Sequence, residues 1–318
     1  MSSAAQALGK KIASAGELGM IVRSMKALAA SSIGQYERAV ASLIDYHRAV
    51  ECGLSACLRV AELTFTTPAR AAHVSVGAII FGSDQGLVGR FNETLFEFVL
   101  CTLRSLGPET KRVWAVGDRM HEIATAGGST KPVLLPVPNS VNGITGLVDE
   151  LLIAVETARE RDHITDIYVF QNRPVPGAYE PTSVKLLPLD TIWQVQLTAM
   201  RWPTRTEPQI IGEIATALHG FIHEYLFVVL FQACAESLMS ENATRLAAMQ
   251  RAEKNIAEIR EDLSRRFHRS RQESIDEELF EVISGYESLS TPPHLATPLS
   301  ADDGPIVHRH GVRILGSE

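Results

Sequence analysis

The residues that most resemble a chemical site form one turn, Gly82-Ser83-Asp84-Gln85-Gly86-Leu87-Val88-Gly89-Arg90-Phe91-Asn92. It follows an apolar run ending at Phe81 and precedes an amphipathic stretch. A glycine turn between strand and helix can bind phosphate, because free backbone N–H groups and the positive end of the helix dipole cradle an anion. The spacing here does not suit that use. Neither G-x-G-x-x-G nor G-x-x-x-x-G-K-[ST] can be written through it, and no acidic residue ends a clear second strand. Ser83 and Asp84 suit local hydrogen bonds that close a turn, while Gly86 and Gly89 permit backbone conformations other residues avoid. The turn therefore reads as structural, with a phosphate site as the lesser alternative.

Other reactive side chains are scattered. His219 and His223 lie four apart in HGFIHEY, which shares a helix face but is not H-E-x-x-H and has no nearby cysteine. His294, His308 and His310 sit in a polar tail. The four cysteines, Cys52, Cys57, Cys101 and Cys234, form no C-x-x-C pair and read as reduced core thiols. No G-x-S-x-G nucleophile occurs, Cys101 has no evident base, and no carboxylate pair stands apart from ordinary surface charge. No catalytic, cofactor-binding or metal-binding residue is assigned.

Composition narrows the partners. With 318 residues and 45% apolar content the chain can build a substantial core. A net charge of -7, from 30 basic and 37 acidic residues, offers no global attraction for nucleic acid or anionic lipid. The longest unbroken apolar run, near Tyr225 to Phe231, falls short of the roughly 20 residues that span a bilayer. Membrane association is expected to be indirect. The N-terminal MSSAAQALGKK lacks a signal core and the arginines of a transit peptide, which fits a bacterial cytoplasmic protein.

The elements that must carry these residues fall into three parts. From Ala4 to Arg59 there is no proline, and Val22, Met25, Ala29, Ser32, Tyr36, Ala39, Leu43, Tyr46 and Val50 alternate at spacings of three and four, the seam of a coiled coil. A second helical pattern runs from Ile210 to about Tyr286 through Leu218, Phe221, Tyr225, Val229, Leu238, Met249, Ile256, Leu263 and Phe267. Between them, strands are expected at His73–Phe81, Arg112–Val116, Val133–Leu135, Ile164–Phe170 and Ser183–Leu187. Helices are expected at Arg90–Leu106, Met120–Ala126 and Gly146–Arg161. Such alternation predicts a small, mostly parallel sheet flanked by helices. The expected organisation is a helix over 1–62, an α/β domain over 70–190, a helix over 208–288 and a disordered tail over 289–318.

The segment Ser240 to Gly285 resembles the C-terminal signature of F-type ATP synthase gamma subunits. The matching positions are Ser240, Glu241, Arg245, Ala248, Met249, Asn255, Arg271, Gln272, Glu278, Leu279, Glu281, Val282 and Gly285. KKIAS at Lys10–Ser14, SMKALAAS at Ser24–Ser31, the GSDQGLVGRFN turn and VKLLPL at Val184–Leu189 resemble further anchors of that family, in the same order. Gln85, Val88, Arg90 and Asp276 depart from its usual residues, and the tail is extra, which suggests a divergent branch such as the alternate F-type ATPases.

The resemblance implies a fold class: a long antiparallel coiled coil of N- and C-terminal helices with an inserted Rossmann-like α/β domain. It also implies a non-catalytic central shaft that couples ion translocation to ATP synthesis or hydrolysis on beta subunits. Implied partners are the alpha and beta subunits, the epsilon subunit and the membrane c-ring, at the cytoplasmic face of a bacterial plasma membrane. Implied contact residues are Lys10, Lys11, Arg23, Met25 and Lys26 on the first helix and Arg271, Gln272, Asp276 and Glu278 on the second. Two other readings remain open at this point: a dinucleotide-binding enzyme with helical extensions, and an unrelated coiled-coil scaffold.

Overall fold

The computed structural model describes residues 3–61, 75–106, 109–128, 131–189, 191–200, 202, 204, 206 and 208–290. The 289–318 tail expected to be disordered lies outside these residues, apart from the last two positions of the final helix. In chain order the elements are α1 (Ser3–Ala61), β1 (Ser75–Phe81), α2 (Phe91–Leu106), β2 (Glu109–Val116), α3 (Asp118–Gly127), β3 (Val133–Leu135) and α4 (Val141–Asp162). They continue with β4 (Asp166–Val175), β5 (Ala178–Leu187), α5 (Thr191–Ala199) and α6 (Ile214–Ser290). Two units are distinguished, Lys11–Asp262 and a second one of Met1–Lys10 with Leu263–Glu318.

In the larger unit, α1 and α6 run antiparallel. Position rises along α1 as it falls along α6: Gly19 lies against Ile256, Lys26 bonds Glu253 at 2.6 Å, the Tyr46 hydroxyl donates to Glu224 at 2.6 Å, and Gly53 faces the Phe221 ring. The predicted seam residues Ala29, Tyr36, Ala39 and Val50 are buried. Tyr46 is exposed, its ring lying outside the seam while its hydroxyl crosses to Glu224. Lys26 and Glu253 are each about one-third exposed, so the pair adds specificity more than stability. In the smaller unit Gly9 packs against the Phe267 ring.

The sheet has the order β3-β2-β1-β4-β5. β1 is parallel to β2 and β4, β2 is parallel to β3, and β5 closes the edge antiparallel to β4. Successive residues in a strand point to opposite faces. Val76, Ala78 and Ile80 of β1, Val113 and Ala115 of β2 and Phe170 of β4 therefore enter one core with Leu95 and Val99 of α2 and Met120 of α3. Ile79, Phe81, Trp114, Val116, Ile167 and Val169 enter the other, with Leu147, Leu151 and Val155 of α4, Tyr36 and Ala39 of α1, and Leu230, Phe231 and Leu238 of α6. One face of the sheet is thus covered by α2 and α3, and the other by α4 and the helix pair.

Several elements differ from the sequence pattern. β4 and β5 are longer than predicted because they form a hairpin around Gly177, whose φ of 75° only glycine adopts readily. The final helix begins at Ile214 rather than Ile210, since Gly212 at φ 96° sits in a conformation that interrupts a helix. α5 has no counterpart among the predicted elements. It packs Leu197 into a third core with Leu54 and Leu58 of α1 and Leu218 of α6, and Trp193 lies 4.5 Å from the Tyr225 ring. Burial in this core pushes the Tyr225 hydroxyl up to about 12, with the Glu51 charge adding to the effect.

Within Ile214–Glu287 one 18-residue window has a mean hydropathy of 1.6, enough by length and composition to cross a membrane, and 17% of it is buried. Leu218, Phe221, Leu226, Leu230 and Phe231 of the same helix pack against α1, α5 and the sheet. Across Val228–Asn242 the helix is buried or half-buried on every side. Over that stretch, enclosed by α1 and by the sheet, apolar residues lie on several sides of the helix and not along one stripe.

A Cβ at Gly53 would lie 2.3 Å from the Phe221 ring. Gly53→Val is expected to force the helix pair apart and cost about 1–3 kcal/mol. Thermal and urea unfolding of the full chain would measure it, and Gly34→Val, where a Cβ meets nothing within 4 Å, supplies the control.

Candidate functional site

In open α/β sheets, ligands occupy the crevice beyond the carboxyl ends of the strands where the strand order reverses. Here that point lies between β1 and β4, because the chain leaves β1 toward β2 on one side and returns to β4 on the other. The glycine turn sits there. Its hydrogen bonds are internal: the Ser83 N–H donates to Asn92 Oδ1 at 3.0 Å, Asn92 Nδ2 donates to Ser83 Oγ at 2.8 Å, and Ser83 Oγ donates to the Gln85 carbonyl at 3.0 Å. The Asp118 N–H donates to Asp84 Oδ1 at 3.1 Å, and the Arg119 N–H to the Ser83 carbonyl at 3.1 Å.

Close packing explains the glycines at the strand ends. A Cβ at Gly82 would lie 2.3 Å from Met120, and one at Gly117 would lie 2.5 Å from the Ser83 carbonyl oxygen. Gly117 also has φ 105°. These glycines bring the two turns together and do not open a cradle for an anion.

The crevice itself is filled by α6. Ser237 Oγ donates to the Phe81 carbonyl at 2.9 Å, at the last residue of β1. Gln171 Nε2 of β4 donates to Glu236 Oε2 at 2.8 Å, and Gln232 Nε2 donates to Glu236 Oε1 at 2.8 Å. Next to Gln171, Asn172 Nδ2 donates to the Phe91 carbonyl at 3.0 Å. The polar groups at the end of β1 and within β4 are thus bonded to helices of the chain itself.

A polar cavity of 180 Å³ lies beside this contact, lined by Ser32, Tyr36, Asp84, Glu241, Asn242 and Arg245 among others. Burial raises the Glu241 carboxyl above its ordinary range. The Arg245 guanidinium, paired with it one turn away, opposes that shift, and the Asp84 charge reinforces it. Burial likewise raises the Tyr36 hydroxyl and the Cys234 thiol. The one guanidinium among these lining residues is already paired with Glu241, which leaves the cavity poorly suited to hold a phosphate.

A protein-family model described as ATP synthase matches residues 4–289. The chain belongs to the ATP synthase gamma-chain family. An ATP synthase gamma chain of Wolbachia sp. subsp. Drosophila simulans (strain wRi) is 31% identical over 66% of this chain and 72% of its own length. One from Desulfitobacterium hafniense (strain DSM 10664 / DCB-2) is 26% identical over 90% of this chain and 99% of its own. A chain of the Euglena gracilis mitochondrial ATP synthase, OSCP/F1/c-ring, in rotational state 3 has the same fold, with a TM-score of 0.58 at 14% identity over 94% of this chain and 99% of that one. The coiled-coil pair with its inserted Rossmann-like domain is therefore that of a central stalk, a non-catalytic subunit of a rotary ATP synthase.

Within this gamma-chain fold the residues implied as contacts are divided. Lys11 and Arg23 are exposed in the larger unit, Met25 is half-buried there, and Lys26 is held by Glu253. Lys10, Arg271, Gln272, Asp276 and Glu278 are exposed in the smaller unit. His219 and His223 are exposed and line a cavity of 530 Å³ with Asp149, Glu156 and Arg159. Among the described residues no group of three or more His, Cys, Asp or Glu is placed to hold a metal. Cys52, Cys57 and Cys234 are buried as expected, but Cys101 is exposed on the outer face of α2. Helix spacing alone did not show which side of α2 the sheet would cover.

The sequence reading did not single out Glu236, Ser237 or Gln171, the groups that join α6 to the sheet. The available signal was polar residues inside the apolar run FQACAESLMSE, where buried charge is expensive unless paired.

A carboxyl whose pKa is higher folded than unfolded binds more protons in the folded state. The Glu241 contribution to stability is therefore fully present below its ordinary pKa and is lost as pH rises through the raised value. Glu241→Gln removes it. The stability of the unmodified chain relative to this variant should decline as pH rises from the ordinary carboxyl range upward. Urea unfolding across that range, with a difference that stayed flat or rose, would contradict the assignment.

Proposed function

We propose that the chain is the turning shaft of a rotary complex. It would rotate inside a ring of alpha and beta subunits and couple ion flow through a membrane c-ring to ATP synthesis or hydrolysis on the beta subunits. The observation that carries this reading is the seating of α6 in the sheet's ligand crevice, through Ser237 on Phe81 and Glu236 on Gln171. That arrangement replaces a binding site with a mechanical joint. It disfavours the reading as a dinucleotide enzyme, which needs the same crevice open.

An asymmetric shaft makes different contacts with chemically identical sites, so each orientation biases them toward different affinities. In this reading Met25, Arg271 and Gln272 face the moving part of the beta subunits, and Lys10, Lys11, Arg23, Asp276 and Glu278 lie on the same contact surfaces. Lys26 belongs to the same set and is oriented within the chain by Glu253. The α/β domain braces against the epsilon subunit and the c-ring, at the cytoplasmic face of a bacterial plasma membrane. Support comes from the exposure of the charged residues in this set other than Lys26 and from the family match over residues 4–289.

The direct test is reconstitution. The chain alone should not hydrolyse ATP, and with alpha and beta subunits it should form a stable complex whose hydrolysis drives ion transport in membranes carrying the c-ring. Failure to co-assemble would refute the reading.

Arg271→Ala combined with Gln272→Leu tests the contacts. Both residues are exposed, so the free chain should change in stability by no more than about 0.5 kcal/mol. Loss of charge-assisted contacts worth about 1.5–3 kcal/mol should lower ion pumping per ATP hydrolysed. Unchanged pumping per turnover would remove these two residues from the contact set.

A further inference from the structure

Glu236 is a poor choice for stability. Its side chain is only 6% exposed, and it is held by two neutral amides, Gln171 Nε2 and Gln232 Nε2, each at 2.8 Å. The nearest cation, the Arg173 guanidinium, is 3.7 Å away and mostly exposed. A buried carboxylate of this kind gains little net stability over an apolar side chain of similar volume, and the best-attested use of such groups is to fix register.

The surroundings of Glu236 need a register device. α6 passes between α1 and the sheet over Val228–Asn242 with apolar contact on most sides. Apolar attraction is non-directional and opposes separation far more than sliding. One turn before Glu236 stands Gln232 and one turn after it stands Ser240, so a slip of one turn would bring another polar residue opposite Gln171. Only Glu236 supplies a carboxylate. Ser240 Oγ and Gln171 Oε1 are both buried without a hydrogen-bond partner, so the contact is tuned to Glu236 and leaves its neighbours unsatisfied.

We infer that Glu236, seated on Gln171 of β4 just beyond that strand's pairing with β1, is a positioning residue that locks α6 axially to the α/β domain, so that load applied to the helix reaches the domain without slippage. This rests on the shaft reading above. Ser237, bonded to the Phe81 carbonyl, fixes the rotation of the helix about its axis at the same place. The carboxylate fixes its position along the axis.

Two variants in the reconstituted complex test the lock. Glu236→Met keeps the volume and removes the directional bonds. It also leaves the Gln171 and Gln232 amides without their acceptor, so the free chain should unfold at a lower temperature while staying folded under assay conditions, and the assembled complex should hydrolyse ATP at the normal rate while ions moved per ATP fall by about half or more. Glu236→Gln should restore most of the coupling, because its amide oxygen accepts from one donor and its amide nitrogen can donate to Gln171 Oε1. Coupling that is normal in Glu236→Met overturns the lock. Coupling lost only in proportion to a lowered unfolding temperature also overturns it, since that outcome marks a merely structural group. If the unmodified chain itself does not support coupled turnover, the shaft reading fails and takes the lock with it.

Discussion

The architecture depends on one constraint: α6 must be buried on opposite sides at once. Around Val228–Asn242 it packs against α1 and against the sheet, so its backbone and side chains have almost no access to water. Every polar group it carries there needs a partner within the protein. Glu236, Ser237 and Asn242 find theirs in Gln171 and Gln232, in the Phe81 carbonyl and in the Leu238 carbonyl. Those bonds determine where the sheet's carboxyl edge sits along the helix and what the glycine turn can do.

The same constraint turns a nucleotide-binding layout to another purpose. Strand order, parallel pairing and a glycine turn before α2 all match a fold that places ligands at the strand ends. The occupant here is a segment of the chain's own C-terminal helix, and the one guanidinium lining the adjoining cavity is already paired with Glu241. Fold alone would have suggested an enzyme; the contents of the crevice argue for a joint. In a central stalk that joint links the paired helices to the α/β domain, and its directional bonds resist sliding that apolar packing would allow.

Much of this was legible in the linear pattern. Long proline-free stretches with spacings of three and four demanded two extended helices, because an apolar seam of that period has to meet another one. The antiparallel contacts from Gly19 with Ile256 to Gly53 with Phe221 realise that demand. Short β-rich runs separated by amphipathic helices predicted a mainly parallel sheet, and four of its five strands run that way. The structural reading of the glycine turn holds for Ser83, which bonds the Gln85 carbonyl two residues on, whereas Asp84 accepts from the Asp118 N–H, 34 residues away, a partner that local spacing does not show.

Local sequence determined every element but α5, their order and the absence of a recognisable nucleotide motif, because periodicity, turn chemistry and motif spacing are properties of neighbours along the chain. Tertiary structure decided the rest. It fitted α5 into a core made by α1 and α6, turned Cys101 outward, tied Lys26 to Glu253, and set Glu236 against Gln171, 65 residues away in sequence. None of these can be read from spacing, since a buried charge and a solvated one look alike until the partner that satisfies it is brought across the fold.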